Sequence, residues 1–112
     1  MRHSFHVLAL FHPAAREALR AFPGDVRRAF GKAIFSLQIG RTLAMPLSRP
    51  MPAIGAGVSE IRVHDASGAY RAFYVVRTTQ AVVVFHVFAK KTATTPQREI
   101  RLGKCRLKEM LP

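Results

Sequence analysis

The chain has one cysteine in 112 residues, few acidic side chains and no long apolar run. A lone thiol, Cys105, excludes an internal disulfide and any zinc site built from several cysteines, and it fits a reducing compartment. We therefore expect a cytoplasmic protein. No apolar stretch approaches the roughly 18 residues that a membrane-spanning helix needs, so we expect no membrane partner.

Sequence motifs of the common enzyme classes are also missing. There is no phosphate-binding glycine loop, no HExxH motif and no serine–histidine–aspartate spacing. Glu60 and Asp65 are the only acids in the middle third of the chain, which leaves no carboxylate pair for acid–base work. Because the five histidines are scattered and Cys105 stands alone, we expect no metal and no cofactor.

The charge balance is the most informative property of the composition. Eighteen lysines and arginines face six acids, for a formal net charge of +12. A compact domain this basic repels itself and calls for a polyanion or an acidic partner. Arginine dominates over lysine, and its planar guanidinium makes bidentate phosphate contacts, so nucleic acid is the favoured partner.

The order of apolar patterns predicts one α+β domain over residues 1–112. Residues 4–10 predict an edge strand, and no cleavage site of a signal peptide follows them. A helix from Pro13 and a second helix from residues 23–25 to Gly40 predict an αα-hairpin. Residues 41–57 contain three prolines and two glycines, which predicts an irregular connector.

Three strands follow the connector, and a basic helix ends the chain. Residues 58–64, 69–77 and 80–88 predict a small antiparallel sheet, with turns at 65–68 and 78–79. The last of these strands is nearly all apolar, so it should lie inside the sheet with both faces covered. For the final helix we expect Thr95 as N-cap and Pro96 at the first position, with an apolar stripe formed by Ile100, Gly103, Leu107, Met110 and Leu111.

Cations at the strands are the candidate functional residues. For Arg62 and Arg71, which lie among apolar neighbours, we favour phosphate contact over a structural ion pair with Glu60. Lys90 and Lys91 are adjacent and should lower each other's pKa, making one a better base. Fixed cations of this kind can promote RNA cleavage without metal, because the 2′-hydroxyl of RNA can attack the neighbouring phosphorus.

For the other candidate residues, a purely structural role is an equal or stronger alternative to a functional one. His86, inside the apolar strand, is either a hydrogen-bonded core histidine or a catalytic group. Tyr70 either packs in the core or stacks on a base. A further set of cations is either solvated or in contact with RNA: Arg77 at a strand end, and Arg27, Arg28 and Lys32 on the outer face of the second helix.

Several of these segments together resemble the phage-derived, HigB-like branch of the RelE/ParE toxin superfamily. The matching segments are Glu60-Ile61-Arg62, then Tyr70-Arg71-Ala72-Phe73-Tyr74, then Phe88-Ala89-Lys90-Lys91-Thr92, and finally Thr95-Pro96, in the order and spacing of that branch. The resemblance implies a RelE-like fold and a type II toxin that cuts mRNA on the ribosome. It also implies a helix-turn-helix antitoxin as partner. By motif position, it assigns catalytic roles to Arg62, Arg71, Lys90 and Lys91, and less directly to Tyr70 and His86.

Two other functions remain open at this point. Some branches of the superfamily inhibit DNA gyrase without being enzymes, although the Lys90-Lys91-Thr92 segment matches the HigB-like branch better. The basic domain could also bind RNA or a protein without cleaving anything.

Overall fold

The computed structural model describes residues 7–77 and 81–111. Within these ranges the chain forms five strands and three helices: β1 Leu8–Phe11, α1 Pro13–Arg20, α2 Gly24–Gln38, β2 Ser48–Pro50, β3 Val58–Asp65, β4 Gly68–Arg77, β5 Ala81–Lys90 and α3 Gln97–Met110. The α+β class, the helical hairpin and the closing helix are confirmed. Residues 4–6 of the first predicted strand, the 78–79 turn and Gln80 lie outside the described residues.

The strands form one sheet in the order β1-β5-β4-β3-β2. Neighbouring strands are antiparallel except for β1, which lies at the edge as expected but runs parallel to β5. The antiparallel sheet predicted for the three later strands is confirmed as β3, β4 and β5, and β1 adds a parallel strand to it. A parallel pair needs a crossover connection between its strands. Here the connection from β1 to β5 contains the helices α1 and α2 and the strands β2 to β4.

Helices cover both faces of the sheet. The α1–α2 hairpin packs around Phe30 and Ile61 on one face, and α3 packs around Phe73 and Phe85 on the other. All residues from 81 to 88 of β5 are buried, which confirms the interior strand inferred from its continuous apolar run. One end of the second face, beyond α3, is where the charged residues of β3 and β4 collect.

The connector contains a strand that the sequence did not predict. Ser48–Pro50 pairs with β3, and the Ser48 Oγ lies 2.7 Å from the Tyr74 hydroxyl in a buried hydrogen bond. The density of prolines suggested irregular structure, but proline is tolerated in an edge strand, where no neighbour needs its missing N–H.

Two local features are the register shift in β5 and the start of helix α3. A register shift pairs Phe73 with His86 and Tyr74 with Val84, so one extra residue of β5 is accommodated there. Helix α3 has Pro96 as N-cap and no side-chain cap, so the prediction of Thr95 as cap was wrong by one residue. The predicted apolar stripe of α3 does pack on the sheet, with Gly103 buried.

Candidate functional site

Arg62 and Arg71 are direct neighbours across β3 and β4. Side chains alternate along a strand, so Glu60 lies on the same face of β3 as Arg62. Arg71 is 7% exposed and Glu60 is 2% exposed, and the Arg71 Nε lies 3.2 Å from the Glu60 Oε1. The ion pair that the sequence left as the alternative for Arg71 is therefore present.

Three buried polar atoms at this point have no hydrogen-bond partner. They are the Glu60 Oε1, the Arg62 Nε and the Arg71 Nε. The Arg71–Glu60 contact is thus an ion pair whose geometry is not that of a hydrogen bond, while the Arg71 Nη1 donates to the Tyr70 carbonyl at 3.0 Å. Buried polar atoms without a hydrogen bond are rare and costly, and two guanidinium groups side by side suit an anionic ligand.

The local charge is strongly positive. Burial lowers the pKa of Arg71, Glu60 opposes that change, and Arg62 and Arg49 add to it by repulsion. Arg49 belongs to β2, directly opposite Glu60. One carboxylate therefore stands among several cations, and an added phosphate would relieve their mutual repulsion.

Lys90, at the end of β5, completes the cluster. Its Nζ donates to the Ala93 carbonyl at 2.7 Å. Burial lowers the pKa of Lys90, and so do Arg71, Arg62 and Arg49, whereas Glu60 opposes them. The sequence predicted a lysine with a lowered pKa at this point. It attributed the effect to neighbouring Lys91, but the arginines across the sheet are the cations responsible.

These residues line a pocket of about 210 Å³, which we call the cation pocket. Its remaining walls come from the loop after β5 and from the connector: Arg49, Met51, Ala93, Thr94 and Thr95. Sequence reasoning missed Arg49, because its segment was expected to be irregular. Glu60 was foreseen only as an ion-pair partner, although its strand alternation already placed it on the face of Arg62.

Three predicted catalytic residues do not line the cation pocket: Lys91, Tyr70 and His86. Lys91 is exposed and does not line it. Tyr70 is 7% exposed on the opposite face of the sheet, where its ring centroid is 4.6 Å from that of Phe22 and its hydroxyl is 2.6 Å from the Ser67 Oγ. Packing thus accounts for Tyr70, the structural alternative stated for it above.

His86 joins β5 to α3. Its Nε2 lies 2.7 Å from the Glu99 Oε1, and the Arg106 Nη1 lies 2.7 Å from its Nδ1. A guanidinium can only donate, so Nδ1 accepts and the Nε2–H donates to the carboxylate. His86 is 2% exposed and is not among the residues that line the cation pocket. It matches the hydrogen-bonded core histidine described as an alternative above.

The residues predicted to contact RNA through surface charge are exposed but dispersed. Arg77 is at the end of β4 that pairs with the start of β5, whereas Arg71 pairs with its far end. Arg28 forms an exposed ion pair with Asp25. Arg27 lines a shallow groove with residues of β1 and α1. Lys32 is exposed on α2.

Among residues 7–77 and 81–111, no three His, Cys, Asp or Glu side chains are grouped so that they could hold a metal ion. Within the same ranges, every helix is too short or too polar to cross a bilayer.

The arrangement can bind and polarise a phosphodiester. Arg62 and Arg71 are held side by side by backbone pairing, so they require little reorganisation to receive two phosphate oxygens. Lys90 adds an amine whose pKa lies below its usual 10.5. A group of this kind is closer to the range in which proton transfer at physiological pH is efficient.

Comparisons with solved structures identify the fold. A mutant of the E. coli toxin RelE in the free state superposes with a TM-score of 0.60 at 18% identity, covering 97% of this chain and 100% of that chain. The toxin–antitoxin complex RelBE2 from Mycobacterium tuberculosis matches with a TM-score of 0.53 at 21% identity, covering 80% of this chain and 95% of that chain. Both confirm the RelE-like fold expected from the sequence motifs.

The sequence itself matches a protein family over most of its length. No curated protein matches it. Residues 17–108 match the family described as phage-derived protein Gp49-like, DUF891. The HigB-like branch within the superfamily stays a prediction. The chain belongs to the phage-derived Gp49-like family, and its fold is that of the RelE/ParE toxin superfamily.

Proposed function

We propose that this protein is the toxin of a type II toxin–antitoxin module and a metal-independent endoribonuclease that cleaves mRNA on the ribosome. The observation that supports the proposal most is the cation pocket, in which Arg62 and Arg71 are cross-strand neighbours and Lys90 lines the same space. The similarity of the fold to that of toxins such as RelE is consistent with it.

In the proposed reaction, the 2′-hydroxyl oxygen attacks the adjacent phosphorus and the bond from phosphorus to the 5′-oxygen breaks. The products are a 2′,3′-cyclic phosphate and a free 5′-hydroxyl. Arg62 and Arg71 bind the phosphate oxygens and stabilise the charge that develops on the phosphorane. Lys90, in its neutral form, accepts the proton of the 2′-hydroxyl, and the leaving 5′-oxygen takes a proton from water.

Glu60 positions Arg71 in this scheme. Its carboxylate lies 3.2 Å from the Arg71 Nε and faces Arg49 across β2 and β3. A single buried acid among these cations keeps the guanidinium groups charged and directed into the pocket. It leaves a net positive charge for the substrate, because the cations outnumber it.

The partners in the proposal are mRNA bound to the ribosome and a helix-turn-helix antitoxin, and the compartment is the cytoplasm. One structure of similar fold is of a toxin–antitoxin complex. The net charge of +12 favours both an RNA substrate and an acidic protein partner.

Mapping RNA ends in cells tests the proposal. After induction of the protein without an antitoxin, new mRNA 5′ ends with a hydroxyl group should appear within open reading frames before growth stops. Growth arrest with intact transcripts would contradict it. In that case, DNA breaks would point to an inhibitor of DNA gyrase, and the absence of any toxicity would point to a binding module without catalysis.

A further inference from the structure

A second groove adjoins the cation pocket and shares two of its residues. It has a volume of about 410 Å³, and Arg62 and Arg71 line both spaces. The rest of this groove, which we call the side groove, lies at the edge of β3 beyond the end of β2. Its walls are mostly apolar: Ala29 of α2, Pro46 and Leu47 of the connector, and Val63 of β3.

The apolar wall is fixed to the strand that contains Arg62. The Arg62 backbone N–H donates to the Leu47 carbonyl at 2.8 Å, just before β2 begins to pair with β3. Leu47 is nevertheless 37% exposed, so part of its side chain remains free to contact a ligand. His64, exposed near the end of β3, adds a polar ring at the rim of the groove.

We propose that the side groove binds the nucleobase of the nucleotide whose phosphate lies on Arg62 and Arg71. This inference rests on the proposed function, because it takes the cation pocket to be a phosphate site. A nucleotide places a flat, largely apolar ring one sugar away from a dianionic or monoanionic phosphate. The two adjoining spaces match this layout, because the apolar side groove lies next to the guanidinium groups of Arg62 and Arg71.

The shared arginines favour this ligand over an apolar peptide. Arg62 and Arg71 line both spaces, so a ligand that fills the side groove can continue into an anionic group bound in the cation pocket. The guanidinium plane of Arg62 can also stack on a base, as arginine does in single-strand recognition. His64 can exchange a hydrogen bond with the edge of the base.

Titration with two small phosphates tests the inference without depending on cleavage. Adenosine 5′-monophosphate and ribose 5-phosphate have the same phosphate and sugar, and only the first has a base. We expect the nucleotide to bind about tenfold more tightly, within the range measured for base contacts. In NMR spectra of the wild-type protein, the methyl groups of Leu47 and Val63 should shift with the nucleotide and not with the sugar phosphate.

The variant Leu47→Ala should remove most of this difference and leave the affinity for ribose 5-phosphate unchanged. Met45→Ala is the matched control, since Met45 is 63% exposed in the same connector and does not line the side groove. It should keep the full preference for the nucleotide. An increase in salt concentration should lower the affinity for both ligands by the same factor, because the phosphate accounts for the ionic part of binding. The ratio of the two affinities should therefore stay constant.

Equal affinities for the two ligands, without methyl shifts at Leu47 and Val63, would overturn the side groove as a base site. The phosphate site of the proposed function would then still stand. If neither ligand binds, both the phosphate site and the base site are overturned.

Discussion

Glu60 is the residue that balances the cation pocket. It is almost completely buried, and Arg49, Arg71 and Lys90 all belong to its surroundings. Removing one partner of a buried ion pair leaves the other charge uncompensated, which costs more than the pair itself contributes. The folded protein should therefore depend on this carboxylate even without substrate.

The variant Glu60→Gln should lower the free energy of unfolding by about 3 kcal/mol. Millimolar phosphate should restore part of the loss, because an anion bound among the arginines replaces the missing charge. Urea unfolding with and without phosphate measures both effects. Asp25→Asn, which changes an exposed acid paired with Arg28, is the control and should unfold like the wild type. Wild-type stability in Glu60→Gln would contradict the role given to Glu60.

Lys90 predicts a specific pH dependence of cleavage. Its pKa is lowered from 10.5 by burial and by the neighbouring arginines, and only the neutral amine can accept a proton. Below that lowered pKa, the cleavage rate should rise with pH as the neutral fraction increases. Single-turnover cleavage of ribosome-bound mRNA between pH 6 and pH 9 measures the slope.

The substitution Lys90→Arg keeps the charge but removes the amine that would accept the proton. We expect cleavage to slow by about a hundredfold and the rise with pH to disappear. Lys91→Arg is the matched control, because Lys91 is exposed beside the pocket without lining it. A Lys90→Arg variant with the wild-type pH profile would exclude Lys90 as the base.

Gly103 is the contact on which the docking of α3 depends. A Cβ at this position would lie 2.9 Å from the Phe73 Cδ2 and 3.1 Å from its Cε2, and Phe73 is fully buried. The substitution Gly103→Ala should therefore lower the free energy of unfolding by about 1–2 kcal/mol, despite the better helix propensity of alanine.

Gly31→Ala is the matched control for that substitution, and urea unfolding measures both variants. Gly31 is an exposed residue of α2, and nothing lies within 4 Å of a Cβ built there. It should stabilise the protein by about 0.5–1 kcal/mol. If Gly103→Ala stabilised the protein as much as Gly31→Ala, α3 would not be packed on Phe73 as described.

The hydrogen bonds of His86 to Glu99 and Arg106 make the packing of α3 on the sheet sensitive to pH. Burial lowers the pKa of His86 from 6.5, the hydrogen bond to Glu99 opposes this, and Arg106 and Arg98 add to the lowering. Between the folded-state pKa and 6.5, the unfolded chain binds more protons than the folded one. Stability should therefore fall as the pH falls through and below 6.5.

Urea unfolding between pH 7.5 and pH 5.5 measures this effect. The variant His86→Gln should show a smaller loss of stability over that range than the wild type does. His64→Gln, which changes an exposed histidine of β3, should keep the wild-type slope. Identical slopes for His86→Gln and the wild type would show that His86 does not bind fewer protons in the folded state.

The element pattern was predictable from the sequence where local chemistry decides it. The αα-hairpin, the three long strands and α3 follow from apolar periodicity and from the breaks at residues 23–25 and 65–68. Two features depend on distant partners instead. Strand β2 exists because β3 offers an open edge, and the register shift at Phe73 and Tyr74 places His86 against α3. Neither has a local sequence signal.

The same distinction applies to the cation pocket. Arg62, Arg71 and Lys90 were predictable, because charged residues within or at the end of apolar strands stand out. Arg49 was not, since only pairing of β2 with β3 brings it opposite Glu60. The resemblance assigned roles less directly to Tyr70 and His86, and the face of the sheet and the register of β5 pack both residues away from the pocket.

At the scale of the whole molecule, the net charge of +12 is distributed over both the pocket and the exposed helices. In the proposed function, the exposed arginines and lysines attract RNA at long range, and we expect this attraction to be general and sensitive to salt. The cation pocket differs because Arg62 and Arg71 are neighbours across two strands, and the buried Arg71 forms an ion pair with Glu60. We therefore expect toxicity to depend on the pocket and much less on any single exposed charge.

The most direct measurement compares two variants after induction in cells. The first is a double variant that carries both Arg62→Gln and Arg71→Gln, and the second is the control Arg101→Gln, which changes an exposed residue of α3. Both must be folded, as judged by circular dichroism and urea unfolding. We expect the control to stop growth and produce mRNA 5′-hydroxyl ends like the wild type, and the double variant to do neither. A folded double variant that arrests growth and cuts mRNA at the wild-type rate would contradict a catalytic cation pocket.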